Sequence, residues 1–135
     1  HVPTYLAGYY KYKAGDQFTE GGKPVNGKRD ICDIYAIMYE TSESVPTLDG
    51  TNAFTSPNLI STARINNAKE TNEWTYFKLP FTTLPGKFID KEKLMDGKYN
   101  IAIVFTSSLE GDHFNGAIGS TLLIDEAELI YHSED

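Results

Sequence analysis

The chain has 135 residues and a formal net charge of −7, from 12 basic and 19 acidic side chains. That length suits one domain able to bury a core unaided. An acidic chain without a clustered basic patch is a poor match for phosphate neutralisation, so nucleic-acid binding is excluded. Nine Tyr, seven Phe and one Trp favour sheet structure, because aromatic rings suit half-buried pleated surfaces. No run reaches the roughly 18 apolar residues of a membrane span.

Apolar periodicity is two nearly throughout, which predicts strands. The first runs from Tyr5 to Lys13, with Leu6, Gly8, Tyr10 and Tyr12 on one face and Tyr5, Ala7, Tyr9, Lys11 and Lys13 on the other. The second, Ile31 to Tyr39, sets Cys32, Ile34, Ala36 and Met38 against Asp33, Tyr35, Ile37 and Tyr39. Lone Cys32 reads as a buried, inert thiol. Leu59 to Ile65 is a shorter strand, and Glu73 to Phe81 sets Phe77, Leu79 and Phe81 against Trp74, Tyr76 and Lys78. Asp90 is the predicted N-cap of a single helical turn ending at Met95. Tyr99 to Ser107 is apolar on both faces, which predicts a central strand. A short strand at Ala117 to Ser120 and a long one at Leu122 to Tyr131 complete the set.

Turn chemistry separates these runs at Gly21-Gly22-Lys23-Pro24, Asp49-Gly50, Ser56-Pro57-Asn58, Pro85-Gly86, Asp96-Gly97 and Gly111-Asp112. Long strands without helices to cover a sheet predict an all-β fold, an antiparallel β-sandwich of jelly-roll form. The strand number is low for a jelly roll. Strands that ordinarily precede Tyr5 are therefore expected to be missing, leaving an edge open to self-association with another copy.

Catalytic signatures are absent, including nucleophile elbows, phosphate loops, dinucleotide fingerprints and zinc motifs. His1, His113 and His132 have no metal-ligand partner at useful spacing. Glu126 and Glu128 share one strand face at about 7 Å. A retaining glycosidase needs its carboxyl groups roughly 5–5.5 Å apart. Leu123 stands where such enzymes place their leading Glu, so the chain reads as no enzyme and glycoside hydrolysis ranks last. Alternation points Asp125 inward with Ala127 and Leu129, where it needs either backbone donors or a cation. Structural calcium is the candidate, held by Asp125 with carbonyls from Ala14-Gly15-Asp16.

Aromatics interleaved with hydrogen-bonding groups suit glycan recognition. Tyr9, Lys11, Asp33, Tyr35 and Tyr39 occupy the outward faces of two strands that would be neighbours, and they form the candidate glycan surface. A wet sheet face using Tyr for its strand propensity is the competing reading. Trp74 is a candidate sugar platform, although a Trp at a strand start more readily covers one end of the core.

Several stretches together resemble one family. They are Leu6 to Gly15 (LAGYYKYKAG), Asp30 to Glu40 (DICDIYAIMYE), Leu48 to Asn52, Thr55 to Asn58, Glu73 to Phe77, Tyr99 to Ser108, Phe114 to Leu122 and Ile124 to Glu126. In order, they are similar to the putative carbohydrate metabolism domain family of surface proteins from Gram-negative gut bacteria. The resemblance implies a galactose-binding-like jelly roll, the C-terminal module of a longer secreted or lipid-anchored protein. It places that protein at the cell surface, outer membrane or periplasm, beside other domains of the parent chain. The resemblance supplies no established catalytic residues to place on this chain. The expectation is a non-catalytic carbohydrate-binding module of a bacterial surface or secreted protein, with glycan as ligand. A structural or protein-interaction module without sugar affinity is the alternative.

Overall fold

The computed structural model describes residues 2–42, 54, 56–66, 68–109 and 116–131. His1, His113, His132, the turns at Asp49-Gly50 and Gly111-Asp112, the stretch Leu48 to Asn52, and Thr55, Phe114 and Asn115 lie outside them. The described strands are antiparallel and build a β-sandwich, as the periodicity predicts.

One layer has the order β10-β1-β6, with β1 at Pro3–Lys13, β6 at Thr71–Pro80 and β10 at Thr121–Tyr131. The other has the order β7-β5-β4-β8, from β4 at Asp33–Glu40, β5 at Leu59–Arg64, β7 at Thr82–Thr83 and β8 at Tyr99–Thr106. A small third sheet, β3-β2-β9, joins β2 (Phe18–Glu20), β3 (Lys23–Val25) and β9 (Gly116–Ala117). Gly21 and Gly22 connect β2 to β3 at φ of 57° and 85°, the paired positive values that a two-residue hairpin requires. The single helix, α1 at Lys91–Met95, is capped by Asp90 accepting from the Glu92 and Lys93 N–H groups.

Leu6, Tyr10 and Tyr12 of β1, Ile34 and Ala36 of β4, and Phe77 and Leu79 of β6 form the core between the layers, as the alternation places them. Cys32 is buried there too. Gly8 is part of the same face: a Cβ on it would stand 2.9 Å from Phe77 Cζ, so the missing side chain makes room for that ring.

Two predictions fail. β4, not β8, is the strand buried on both faces. Its outward Tyr35, Ile37 and Tyr39 form a second apolar cluster with Leu59, packed against Leu84, Ala102 and Val104. β8 pairs only with β4 among the described strands and is an edge. The hydroxyls of Tyr35 and Tyr39 beside Asp33 suggest a wet face, but their rings are buried as fully as Ile37 between them.

The acidic step of β10 also departs from simple alternation. Ala7 pairs with Glu128 and Tyr9 with Asp125, so Gly8 alone opposes both Glu126 and Ala127. This is a β-bulge, and Glu126 takes φ of 51° to make it. The extra residue reverses the facing of everything beyond it. Asp125 and Glu128, rather than Glu126 and Glu128, therefore share the outer face with Tyr9 and Ala7.

Candidate functional site

The outer face of the β10-β1-β6 sheet is where polar and aromatic side chains meet. Tyr9 on the central strand faces Tyr76, with ring centroids 5.3 Å apart, and pairs on its other side with Asp125. One step along, the Lys11 ammonium lies 4.8 Å from the centre of the Trp74 ring. In the other direction Lys78 stands 4.4 Å from the Tyr5 ring. Trp74 is 44% exposed and Tyr76 52%, so their rings present apolar area directly to water. Each cation sits on an aromatic face, an arrangement worth about 0.5–1 kcal/mol at exposed sites. The outcome is a row of oriented rings flanked by Lys11, Lys78, Asp125 and Glu128. Such a row can stack on the C–H face of a sugar and hydrogen-bond its hydroxyls.

Of the residues that sequence reasoning grouped, Tyr9, Lys11 and Trp74 come together here. Trp74 stands on the open sheet face instead of covering the core end. Tyr76 was overlooked, although it alternates with Trp74 on the same strand.

Asp33, Tyr35 and Tyr39 do not join them, because β1 and β4 belong to different layers and their outward faces point to opposite sides of the sandwich. Tyr35 is 4% and Tyr39 3% exposed, too covered to stack on a ligand. Buried Asp33 accepts two bonds from the Arg64 guanidinium, at 2.7 and 3.2 Å. That guanidinium lies over Phe54 at 4.2 Å, and Phe54 meets Tyr35 edge-on. These residues hold the covered face of the second layer.

Asp125 is exposed, and its Oδ1 accepts from the N–H of its own neighbour Glu126 at 2.9 Å. The inward placement expected for it is corrected by the bulge. Lys13 pairs with Thr121 and Tyr9 with Asp125, so the Ala14-Gly15-Asp16 loop lies beyond the far end of that register, roughly 13 Å or more along the strand. The donor set expected for calcium does not converge. Among the described residues no group of three or more His, Cys, Asp or Glu is arranged to hold a metal.

The buried acid is Asp30, which sequence reasoning did not single out. Its Oδ2 accepts from Ser108 Oγ at 2.5 Å, Ser120 Oγ at 2.6 Å and the Ala117 N–H at 3.0 Å. Oδ1 takes the Ile31 N–H at 2.9 Å. Ser120 Oγ accepts in turn from the Gly15 N–H, so one carboxylate ties four stretches of chain at one end of the sandwich. Its serine partners are 78 and 90 residues away, so no local motif could reveal it. Nearby, burial pushes the Tyr12 hydroxyl up to about 12 while it donates to the Ser107 carbonyl at 2.7 Å. Arg29 grips Glu70 with two nitrogens and holds that carboxyl below its ordinary range. An open depression of about 350 Å³ lined by Val2, Thr4, Met38, Ser61 and Phe81, among others, has no charged side chain in its wall.

Fold and surface together define an all-β sandwich domain with a polar–aromatic sheet face. The chain belongs to the family described as putative carbohydrate metabolism domain, whose profile matches residues 1–130. It is 88% identical to a putative glycoside hydrolase from Bacteroides thetaiotaomicron, whose crystal structure superposes with a TM-score of 0.96 over 98% of this chain and 39% of that one. A putative glycoside hydrolase from Bacteroides vulgatus is 46% identical, with a TM-score of 0.89 over 96% of this chain and 52% of that one. The chain thus spans well under two thirds of either solved relative. No curated protein matches it.

Proposed function

We propose that this domain is a carbohydrate-binding module that captures glycan on the outer face of the β10-β1-β6 sheet. It does so without covalent chemistry, as part of a secreted or surface-exposed bacterial protein. The observation that carries this reading is the ring row of Tyr9, Tyr76 and Trp74 with Lys11, open to solvent on a sheet face. Membership in a carbohydrate-related family supports the ligand class. Stacking would proceed on Tyr76 and Trp74, with Lys11 giving up its seat over the indole to bond a sugar hydroxyl. Asp125 and Glu128 supply acceptors at the rim. No cation is needed.

A glycan-array screen, run with calcium and again with a chelator, tests this. Hits on one glycan class that survive the chelator are expected. In variants that stay folded, Trp74→Ala and Tyr76→Ala should each weaken binding by about 1–3 kcal/mol, roughly 5- to 150-fold in Kd. Silence on a folded protein would favour a structural or protein-interaction role.

A hydrolase is the second reading. The bulge puts Asp125 and Glu128 on one face about 7 Å apart along the strand, within the spacing of an inverting pair. Released sugar from a bound glycan, abolished by Glu128→Gln, would establish it. Binding without products would set it aside.

A further inference from the structure

The two layers meet differently along their two sides. On one, β5 lies against β6, and Ile65, Ala68 and Phe81 pack onto the core there. On the other, β8 lies against β10. Both are edges: among the described strands β8 pairs only with β4, and β10 only with β1. Ile101, Ile103 and Phe105 pair with Met38, Ala36 and Ile34, so they share the core-facing side of the sheet. Yet Ile103 is 41% and Phe105 37% exposed. Across from them Leu122, Ile124 and Leu129 pair with Tyr12, Tyr10 and Leu6 and are only half-buried. Side chains aimed into a core belong under cover. Here a period-two apolar stripe stays partly open to water on two strands that each have one sheet neighbour among the described strands.

We propose that this seam between β8 and β10 is the seat of a further β-strand, supplied by chain of the kind that the solved relatives carry outside their match to this domain. The incoming strand would add to a free sheet edge and turn apolar residues at alternate positions onto Ile103 and Phe105. Those relatives have room for it, since this chain accounts for 39% and 52% of their lengths. A second copy fits less well, because each would bring a net charge of −7. The seam runs along the side of the sandwich and is separate from the aromatic face.

Thiol labelling decides the matter. Ile103→Cys and, as an exposed reference, Met95→Cys are each placed in two settings. One is this 135-residue chain; the other is the Bacteroides thetaiotaomicron relative with this chain replacing its matching part. Buried Cys32 reports whether the domain is folded, since it labels quickly only on unfolding. The Ile103→Cys thiol should label at least ~10-fold more slowly in the longer protein than in the short chain, with Met95→Cys unchanged. Equal rates for Ile103→Cys in both settings would overturn the proposal. So would protection in the short chain alone at the mass of a dimer, which would make a second copy the occupant. Should the short chain be unfolded, the longer protein decides by itself: labelling of Ile103→Cys as fast as Met95→Cys would refute the strand.

Discussion

Asp30→Ala is the most informative perturbation of the fold. The carboxylate accepts four hydrogen bonds, two from serine hydroxyls and two from the Ile31 and Ala117 N–H groups. Hydroxyls can turn to new acceptors, whereas a backbone N–H cannot, and the Ala117 N–H is buried. Bonds to a charged acceptor contribute about 1.5–3 kcal/mol, and an orphaned buried donor costs about 1–3 kcal/mol. With two donors that can recover, two that cannot, and partial relief from no longer burying the carboxylate, the expected loss is about 3–5 kcal/mol. For a chain of this size each kcal/mol moves the melting temperature by roughly 3–4 °C, so the drop is about 9–20 °C. Asp30→Asn keeps the shape but turns one acceptor into a donor facing donors, and should cost about 1–3 kcal/mol. Asp125→Ala is the reference, because that exposed acid bonds only its neighbour's N–H and should cost under about 1 kcal/mol. The assay is urea unfolding, reading the midpoint at unchanged slope, with calorimetry alongside. An Asp30→Ala protein no less stable than Asp125→Ala would refute the hub.

Further predictions concern the core. Gly8→Ala forces a Cβ to 2.9 Å from Phe77 Cζ and 3.2 Å from the Ala127 Cα, so it should destabilise by about 1–3 kcal/mol. Phe77→Leu in the same chain should recover part of that loss in denaturant titrations, and a neutral Gly8→Ala would show that the Phe77 ring simply swings aside. Burial raises Cys32 from 9.0 to about 11 and Tyr12 from 10.0 to about 12. Both groups keep their protons in the folded chain at pH values where the unfolded chain has lost them. Their stabilising effect is complete below pH 9 and is lost through pH 9–11 for Cys32 and pH 10–12 for Tyr12, by up to about 2–3 kcal/mol each. Cys32→Ala should flatten the first of these limbs in stability measured against pH, and an unchanged limb would show that the thiol is not its source.

Much of the architecture follows from residue order alone. Alternation in β1, β4 and β6 sorts Leu6, Tyr10, Tyr12, Ile34, Ala36, Phe77 and Leu79 onto the inner faces, because a strand turns successive side chains to opposite sides whatever lies around it. The Asp90 cap and the Gly21-Gly22 turn are equally local, since they depend only on nearby backbone geometry. Other features required the folded chain. Which strands are neighbours depends on how the layers assemble. Sequence could therefore propose Tyr9 and Tyr35 for one surface, while the sheets place them on opposite sides. A one-residue bulge at Gly8 and Glu126 reverses the facing of the acids on β10, and period-two counting has no means to detect it. Asp30 and the exposed seam are long-range in the same sense. A carboxylate becomes a hub only when donors 78 to 90 residues distant are folded against it, and an apolar stripe is left in water only when no neighbouring strand covers it.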